Sequence, residues 1–216
     1  MSYGSAVHKT IEDALNTAIE KGQHLTQEEF ISLFEKTIKQ YSFSSFEQKE
    51  IHLERGKKAL KEFYPQIANM PISNIVSNEY KLGFDEEDYS FYGIVDRIDK
   101  NSDGTYTIID YKTGNAKTKT MICPDGKKEE YYNQIALYKY FYEKKENVKV
   151  KEVCFVFPEE PTKNLYLELT DDEVQQVKNK VDEAILKIKN YEFEPSHNKN
   201  ACDYCQYKDF CKMEIV

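Results

Sequence analysis

The 216-residue chain lacks tryptophan, lacks an apolar run long enough to span a membrane, and opens without a signal-peptide pattern. It contains no GxxxxGK(S/T) sequence, which excludes a P-loop nucleotide motor from the chain. Internal repeats and low-complexity segments are also missing. We therefore expect a globular protein of the cytoplasm, rich in tyrosine and phenylalanine and long enough for one domain with a full core.

Cysteine is scarce, and three of the five cysteines lie near the C-terminus as Cys202, Cys205 and Cys211. Their C-x2-C-x5-C spacing suits a compact metal site in a reducing compartment better than a disulfide framework. Cys154 falls in an apolar segment, where we expect an inert core thiol. Cys123 falls in a loop and is a weak candidate for a further ligand. A free, reduced tail without metal is the alternative.

Apolar periodicity predicts three helices, followed by three strands, one further helix, two more strands and a last helix. Capping patterns at 26–29 and 170–173 mark the start of the second and the last helix. We expect helices at 5–20, 27–39, 46–67, 128–144 and 171–190, strands at 72–84, 89–100, 106–111, 148–158 and 165–169, and an irregular tail from residue 194.

A β-hairpin with charged residues near its strand ends is the most informative segment. Residues 101–104, Asn-Ser-Asp-Gly, form a strong turn signal between two apolar-rich segments. Asp110 and Lys112 are two residues apart and project to one face of their strand, and the hairpin can bring Asp96 beside them. Such buried charges are costly unless something binds there, and a divalent metal with an activated water fits. An ordinary acid–lysine pair on a surface hairpin is the alternative.

Five short motifs together resemble the PD-(D/E)XK nuclease superfamily, and most closely the RecB-like and AddB-like exonuclease domains found at the C-terminus of UvrD-like helicases. Their order and spacing carry the resemblance, because each motif alone is common. It implies an α/β fold of restriction-endonuclease type, with a mixed central β-sheet flanked by helices, a helical N-terminal third and a cysteine-bearing C-terminal tail. The motifs are residues 4–12 around His8, Asp96, the Asp110-Tyr111-Lys112 element, Gln134 with Tyr138, and the three tail cysteines.

The resemblance makes Asp96, Asp110 and Lys112 the catalytic residues of a phosphodiester hydrolase. The two aspartates would hold Mg²⁺ or Mn²⁺, with help from the backbone carbonyl of Tyr111. Lys112 would position the attacking water and stabilise developing charge.

Two residues outside the hairpin are further metal-ligand candidates. The resemblance makes His8 a ligand through a neutral imidazole nitrogen, and the small residues 4–6 would let its helix approach the sheet closely. The alternative is an exposed terminal histidine. Glu79 on the preceding strand is a candidate for a further carboxylate ligand, or else a strand residue that faces solvent.

A substrate path is implied by one helix and one loop. Gln134 and Tyr138 are four residues apart and share a helix face, which the family places over the active site. The alternative is a tyrosine-rich helix that only packs on the sheet. The net charge of −8 disfavours nucleic-acid binding on average. After the active site, however, five lysines face a single acid, Asp125, which predicts phosphate contacts or a solvated loop. These lysines are Lys112, Lys117, Lys119, Lys127 and Lys128.

The tail cysteines resemble the C-terminal iron–sulfur signature of the RecB branch. Cys202, Cys205 and Cys211 would hold a 4Fe–4S cluster, which needs a fourth thiolate. The family usually supplies it upstream of the histidine motif, and no cysteine precedes His8 here. Structural Zn²⁺ bound by the three cysteines and His197 is the second possibility. Either metal would tie the tail to the domain.

We therefore expect a metal-dependent DNA nuclease, an exonuclease on single-stranded ends, belonging to a repair or recombination helicase–nuclease and partnered by its helicase domains. A catalytically inactive DNA-binding or scaffolding module of the same fold is the competing hypothesis, and a nuclease acting on RNA is a third. We expect one domain over 1–216, excised from a longer polypeptide or a natural short form. Its expected parts are a helical lead-in at 1–68, the catalytic sheet and QxxxY helix at 71–170, and the last helix and tail at 171–216.

Overall fold

The computed structural model of the protein describes residues 2–123, 130–193 and 202–211. By internal contacts the chain divides into two compact units, Met1–Lys178 and Asn179–Val216. The expected single domain with its three parts stays a prediction. None of the described helices is long and apolar enough to cross a membrane.

Three helices form the N-terminal third, as the sequence predicts. They are α1 (Ser2–Lys21), α2 (Gln27–Thr37) and α3 (Phe46–Ala68), and a short 3-10 turn, Ile38–Gln40, follows α2. The predicted capping box starts α2. The Thr26 side chain accepts a hydrogen bond from the Glu29 backbone N–H, and the Glu29 carboxylate accepts one from the Thr26 N–H. The first strand begins three residues later than expected, because a 3-10 turn, Ile72–Asn74, follows Pro71.

A five-stranded mixed sheet occupies the middle of the chain, which confirms the predicted fold class. Strand order follows the sequence, and β3 and β4 form its parallel pair. A crossover that contains a short helix, α4 (Lys119–Ile122), and α5 (Glu130–Glu146) joins that pair. The strands are β1 (Ile75–Asp85), β2 (Ser90–Lys100), β3 (Tyr106–Tyr111), β4 (Val150–Val156) and β5 (Leu165–Leu167).

The sheet separates two apolar cores because side chains alternate between its faces. Ile108 of β3 packs in the core that includes α5, whereas Ile109 and Tyr111 pack in the core built by α1, α2 and α3. The turn between β2 and β3 is the predicted one. Gly104 has φ +85°, and its N–H donates to the carbonyl of Asn101 at 3.0 Å. The side chains of Ile108 and Ile109, consecutive residues of β3, therefore lie on opposite faces of the sheet.

Among the described residues after the sheet, helices with defined bounds are α6 (Asp171–Lys189) and α7 (Lys208–Cys211). The predicted start of α6 is correct, since the Glu173 backbone N–H donates to the Thr170 hydroxyl at 3.2 Å. The expectation of a wholly irregular tail is wrong, because residues 208–211 form one helical turn in which the Cys211 N–H donates to the Tyr207 carbonyl.

Candidate active site

The β2–β3 hairpin places Asp96 beside the Asp110-Tyr111-Lys112 element. Arg97 pairs with Ile109 across the two strands, so Asp96 lies level with Asp110. The backbone N–H of Tyr111 donates to Oδ2 of Asp96 at 2.6 Å. Asp96 is therefore hydrogen-bonded to the backbone of the Asp110-Tyr111-Lys112 element, and its Oδ1 is left for a different partner.

That partner is His8 on α1, whose Nδ1 lies 3.4 Å from Oδ1 of Asp96. Helix α1 can come this close because Gly4 has no side chain: a Cβ there would lie 2.9 Å from the Thr113 hydroxyl. Burial lowers the pKa of His8, but the hydrogen bond and charge of Asp96 outweigh it and leave the pKa raised. The structure thus brings the two predicted residues together.

Glu79 is the third member of this group. It lies on β1 between Asn78 and Tyr80, which pair with Arg97 and Val95, so it stands opposite Asp96. Its φ of +52° is unusual for a non-glycine residue and marks a locally constrained backbone. The neighbouring Asn78 amide donates to a backbone carbonyl of α1, at Glu12, and so ties this strand to the helix.

One imidazole nitrogen and two carboxylate oxygens, from His8, Glu79 and Asp96, lie within 4.8 Å of one another. They line a cavity of about 350 Å³. Burial, then the charges of Asp96 and Glu12, raise the pKa of Glu79, as expected where carboxylates converge. Imidazole and carboxylate are ligands that divalent cations accept, so this donor set fits a metal ion.

Asp110 lies outside that group of three and is engaged by its own motif. Its Oδ2 is 2.7 Å from Nζ of Lys112, and the residue is only 3% exposed. Burial, and then the charge of Asp96, raise the pKa of Asp110 to about 6, although Lys112 acts in the opposite direction. Asp110 is therefore close enough to Asp96 to feel its charge, as the predicted shared site requires, but its role as a metal ligand stays a prediction.

A chain of hydrogen bonds leads from Lys112 into α5. Lys112 Nζ donates to Oε1 of Gln134 at 3.0 Å, and Nε2 of Gln134 donates to the Tyr138 hydroxyl at 3.1 Å. Tyr138 packs against β2 at Gly93, where a Cβ would lie 2.7 Å from its ring. Gly93 thus allows α5 to set Gln134 against Lys112, and the role of this helix face in a substrate path stays a prediction.

The lysine segment after Lys112 is described in part. Nζ of Lys117 lies 3.9 Å from the centroid of the Tyr131 ring, and Nζ of Lys112 lies 4.9 Å from the same centroid. Lys119 is exposed at the start of α4. Asp125, Lys127 and Lys128 lie outside the described residues. Phosphate contacts by these lysines stay a prediction.

A buried arginine beside the site has no counterpart in the expectations from sequence. Arg97, 7% exposed, donates to the Tyr111 hydroxyl at 2.6 Å, and its Nε lies 3.1 Å from Oδ1 of Asp99. The i, i+2 spacing of Arg97 and Asp99 on one strand was the available signal. Burial raises the pKa of Asp99. The charge of Arg97 lowers it by less, so the pKa stays above its usual value.

Glu159 is a second residue that sequence reasoning missed. Its carboxylate accepts hydrogen bonds from the Arg55 guanidinium and from the backbone N–H of Gly114. Glu159 therefore holds the loop that follows Lys112 through the backbone of Gly114. These partners are 104 and 45 residues away in sequence, and no local pattern marks such a contact.

The cysteines separate into a core thiol and a tail. Cys154 is 1% exposed, and burial raises its pKa to about 12, which suits an inert thiol. The tail residues Cys202, Cys205 and Cys211 are half-buried or exposed, and within the described ranges they form no group comparable to that of His8. His197 lies outside those ranges. An iron–sulfur or zinc site in the tail stays a prediction.

Residues 1–212 match the sequence model of the PD-(D/E)XK nuclease superfamily. The chain belongs to this superfamily. Its members are nucleases that typically use divalent metals, so membership implies a nucleic-acid substrate and agrees with the donor set at His8, Glu79 and Asp96. Assignment to the RecB-like or AddB-like branch stays a prediction.

No curated protein matches the chain significantly. Among solved structures, the chain is similar to a candidate exonuclease from Eubacterium rectale, with 13% identity, a TM-score of 0.49, and coverage of 93% of this chain and 74% of the other. It is also similar to the protein SSO0001, with 13% identity, a TM-score of 0.42, and coverage of 98% and 96%.

Proposed function

We propose that this PD-(D/E)XK chain is a Mg²⁺- or Mn²⁺-dependent deoxyribonuclease that hydrolyses phosphodiester bonds at single-stranded DNA ends. The observation that carries the proposal is the meeting of three metal-type donors, His8, Glu79 and Asp96, next to the Asp110–Lys112 pair. Donors and a lysine in this arrangement serve phosphate chemistry, which needs both a cation and a positioned cationic side chain.

A divalent cation held at this site supplies a water of lowered pKa and polarises a phosphate oxygen. His8, Glu79 and Asp96 would hold it, with Asp110 and the Tyr111 carbonyl completing the set. Asp96 is oriented in advance by the Tyr111 N–H, so little reorganisation is needed for binding.

Lys112 would position the attacking water and stabilise the negative charge that builds on the phosphate. Its ammonium is held from two sides, by Asp110 at 2.7 Å and by Gln134 at 3.0 Å. Burial lowers the pKa of Lys112, but the charge of Asp110 and its hydrogen bond reverse this and raise the pKa. The side chain is therefore a fixed cation at neutral pH rather than a general base.

The substrate path would run past Gln134 and Tyr138 on α5 and meet phosphates through Lys117 and Lys119. The proposal includes a RecB-like or AddB-like ancestry, a parent helicase–nuclease of DNA repair or recombination, and a cytoplasmic location. It also includes a structural 4Fe–4S cluster or Zn²⁺ at Cys202, Cys205 and Cys211. Support for these finer points comes from the sequence motifs.

Degradation of end-labelled single-stranded DNA by the purified chain tests the proposal. Activity should require Mg²⁺ or Mn²⁺, stop with EDTA, and fall at least about 100-fold in Lys112→Ala. Lys151→Ala is the matched control, because Lys151 is exposed and its ion pair among the described residues is with Asp103 on the far hairpin turn. Labels at the 5′ and 3′ ends give the polarity, and an RNA of the same sequence tests the sugar preference.

Two results would contradict the proposal. Equal rates in wild type, Lys112→Ala and Asp110→Asn would mean that the cleavage comes from another source. Metal-independent DNA binding without any cleavage in Mn²⁺ would identify the catalytically inactive DNA-binding or scaffolding module instead.

A further inference from the structure

A second cavity, of about 420 Å³, lies directly beyond the candidate active site. It is bounded by the first turn of α1, the loop before α3, one face of α3, and residues 113–114, which follow Lys112. We call it the α3 pocket. Gly4 lines both the α3 pocket and the cavity that holds His8 and Asp96, so the two cavities are neighbours. Its volume is typical of small-molecule sites.

One wall of the α3 pocket is a row of three rings. The His52 ring stacks on Tyr3 with centroids 4.9 Å apart and planes 22° from parallel. The Phe43 ring also contacts His52, with centroids 5.6 Å apart and planes 34° from parallel. Phe43 is half-buried, and Nζ of Lys49 lies 6.0 Å from the centroid of its ring. Aromatic surfaces of this kind stack on nucleobases with little dependence on sequence.

The pocket carries no carboxylate among its described lining residues, although the chain has a net charge of −8. Its one guanidinium, Arg55, donates through Nε and Nη2 to Oε2 of Glu159. Among the described residues Nη1 of Arg55 has no hydrogen-bond partner, and the side chain is 43% exposed. Glu159 balances the charge, so the pocket suits an uncharged base, and the free edge of Arg55 remains a hydrogen-bond donor to that base.

Polar groups at the rim could contact the edge of a base. Oε1 of Gln48 accepts from the Ser44 hydroxyl at 2.6 Å, which fixes the side-chain amide and leaves its NH₂ group as a donor. Ser42 and Thr113 add hydroxyl groups to the lining. Stacking surface, fixed donors and one cationic edge are together the components of a nucleotide site.

We propose that the α3 pocket receives the unpaired terminal nucleotide of a single-stranded nucleic acid, with its base against Phe43 and the adjoining phosphate at Asp96 and Lys112. The proposal rests on the proposed function and adds the reason for a preference for single-stranded ends. A paired base would have to leave its duplex before it could enter, and that unpairing is costly.

Binding of short single-stranded oligonucleotides measures the pocket without cleavage. Each oligonucleotide carries fluorescein at one end and either a normal or an abasic nucleotide at the other, in a 5′ and a 3′ series. Anisotropy titrations use Ca²⁺ in place of Mg²⁺. At one of the two ends, the normal nucleotide should bind about 5- to 150-fold more tightly than the abasic one, as expected for loss of one stacked base.

Two phenylalanines in the same segment provide the variant and its control. Phe43→Ala should abolish the preference for a normal end, and Phe43→Tyr should keep it. Phe46→Ala should also keep it, because Phe46 is 77% exposed and does not line the pocket. Thermal unfolding of each variant shows whether the fold is retained.

The inference is overturned if wild type does not distinguish normal from abasic ends, or if Phe43→Ala distinguishes them as well as Phe46→Ala does. This failure is separable from failure of the proposed function. Cleavage in Mg²⁺ without discrimination between normal and abasic ends would reject the nucleotide site in the α3 pocket and support the proposed nuclease function. If the protein cleaves nothing but still discriminates between the ends through Phe43, the proposed nuclease function is rejected and the nucleotide site is supported.

Discussion

The backbone N–H of Tyr111 donates a 2.6 Å hydrogen bond to Oδ2 of Asp96, which joins the two strands that carry the catalytic candidates. The other oxygen of Asp96 faces His8 at 3.4 Å. The carboxylate is therefore oriented by the fold itself, before any cation arrives. Binding energy need not be used to gather the ligands, and the consequences can be measured.

Mn²⁺ should stabilise the folded chain through this group. At a free Mn²⁺ concentration 100 times its dissociation constant, the free energy of unfolding should rise by about 2.7 kcal/mol. Glu79→Gln should lose most of that gain, because it removes one of the three donors. Urea unfolding with and without Mn²⁺ measures the effect.

Glu12→Gln is the control for the metal effect. Glu12 lines the same cavity, but its carboxylate is held by Lys9 at 2.9 Å. It should keep the Mn²⁺ stabilisation. Equal losses in Glu12→Gln and Glu79→Gln would point to a diffuse acidic surface rather than a defined site.

Gly93→Ala should destabilise the protein by roughly 1–3 kcal/mol, because the new methyl group would lie 2.7 Å from the buried Tyr138 ring. Displacing Tyr138 also moves Gln134, so the cleavage rate should fall more than stability alone explains. Denaturant unfolding and single-turnover cleavage measure the two effects.

Gly83→Ala is the matched substitution on the neighbouring strand. The nearest atom to its Cβ is 4.0 Å away, in Tyr92, which is ordinary contact. Its stability should change by less than about 1 kcal/mol. If the two alanines behave alike, the close approach of Tyr138 to β2 is not what requires glycine at 93.

Removing the Gln134 amide should slow cleavage by about 10- to 100-fold, because Lys112 loses the partner that fixes its ammonium. Tyr138→Phe should have a smaller effect in the same direction, since it deletes only the hydroxyl that Gln134 contacts. Tyr140→Phe on the same helix is the control. Steady-state kinetics should show the loss in kcat; an effect confined to KM would assign Gln134 to substrate binding instead.

The metal-free protein should lose stability as pH rises through about 6. Burial, and then the charge of Asp96, raise the pKa of Asp110 to about 6 in the folded state, above its usual 3.8. Between these two values the folded state binds more protons than the unfolded state, so the free energy of unfolding decreases with increasing pH. Above pH 6 the penalty is constant.

Asp110→Asn removes this titration. In EDTA, its free energy of unfolding should decrease less than that of wild type between pH 4 and pH 6.5, by up to a few kcal/mol. Urea titrations at several pH values give the comparison. Parallel pH profiles for the two proteins would mean that Asp110 has an ordinary pKa.

Local patterns predicted the parts of the site that depend on periodicity. The i, i+2 spacing of Asp110 and Lys112 correctly placed both on one face. The i, i+4 spacing of Gln134 and Tyr138 placed both on one helix face, and the family resemblance put that face over the site. The mixed sheet follows from the hairpin and the helical crossover. The two spacings and the hairpin depend on residues that are close in sequence.

Other features depend on contacts that no local pattern records. Glu159 reaches Arg55 across 104 residues, and the constrained backbone of Glu79 arises where β1 faces Asp96. The 3-10 turn at 72–74 replaced the expected start of β1, because Pro71 favours a turn over a strand. Such details are set by tertiary packing.

Anomalous diffraction from a crystal soaked in Mn²⁺ tests the central claim most directly. The account predicts a peak within about 2.0–2.3 Å of an imidazole nitrogen of His8 and of carboxylate oxygens of Glu79 and Asp96. A soaked crystal with no peak there, or with Mn²⁺ held by residues outside this group, would contradict it.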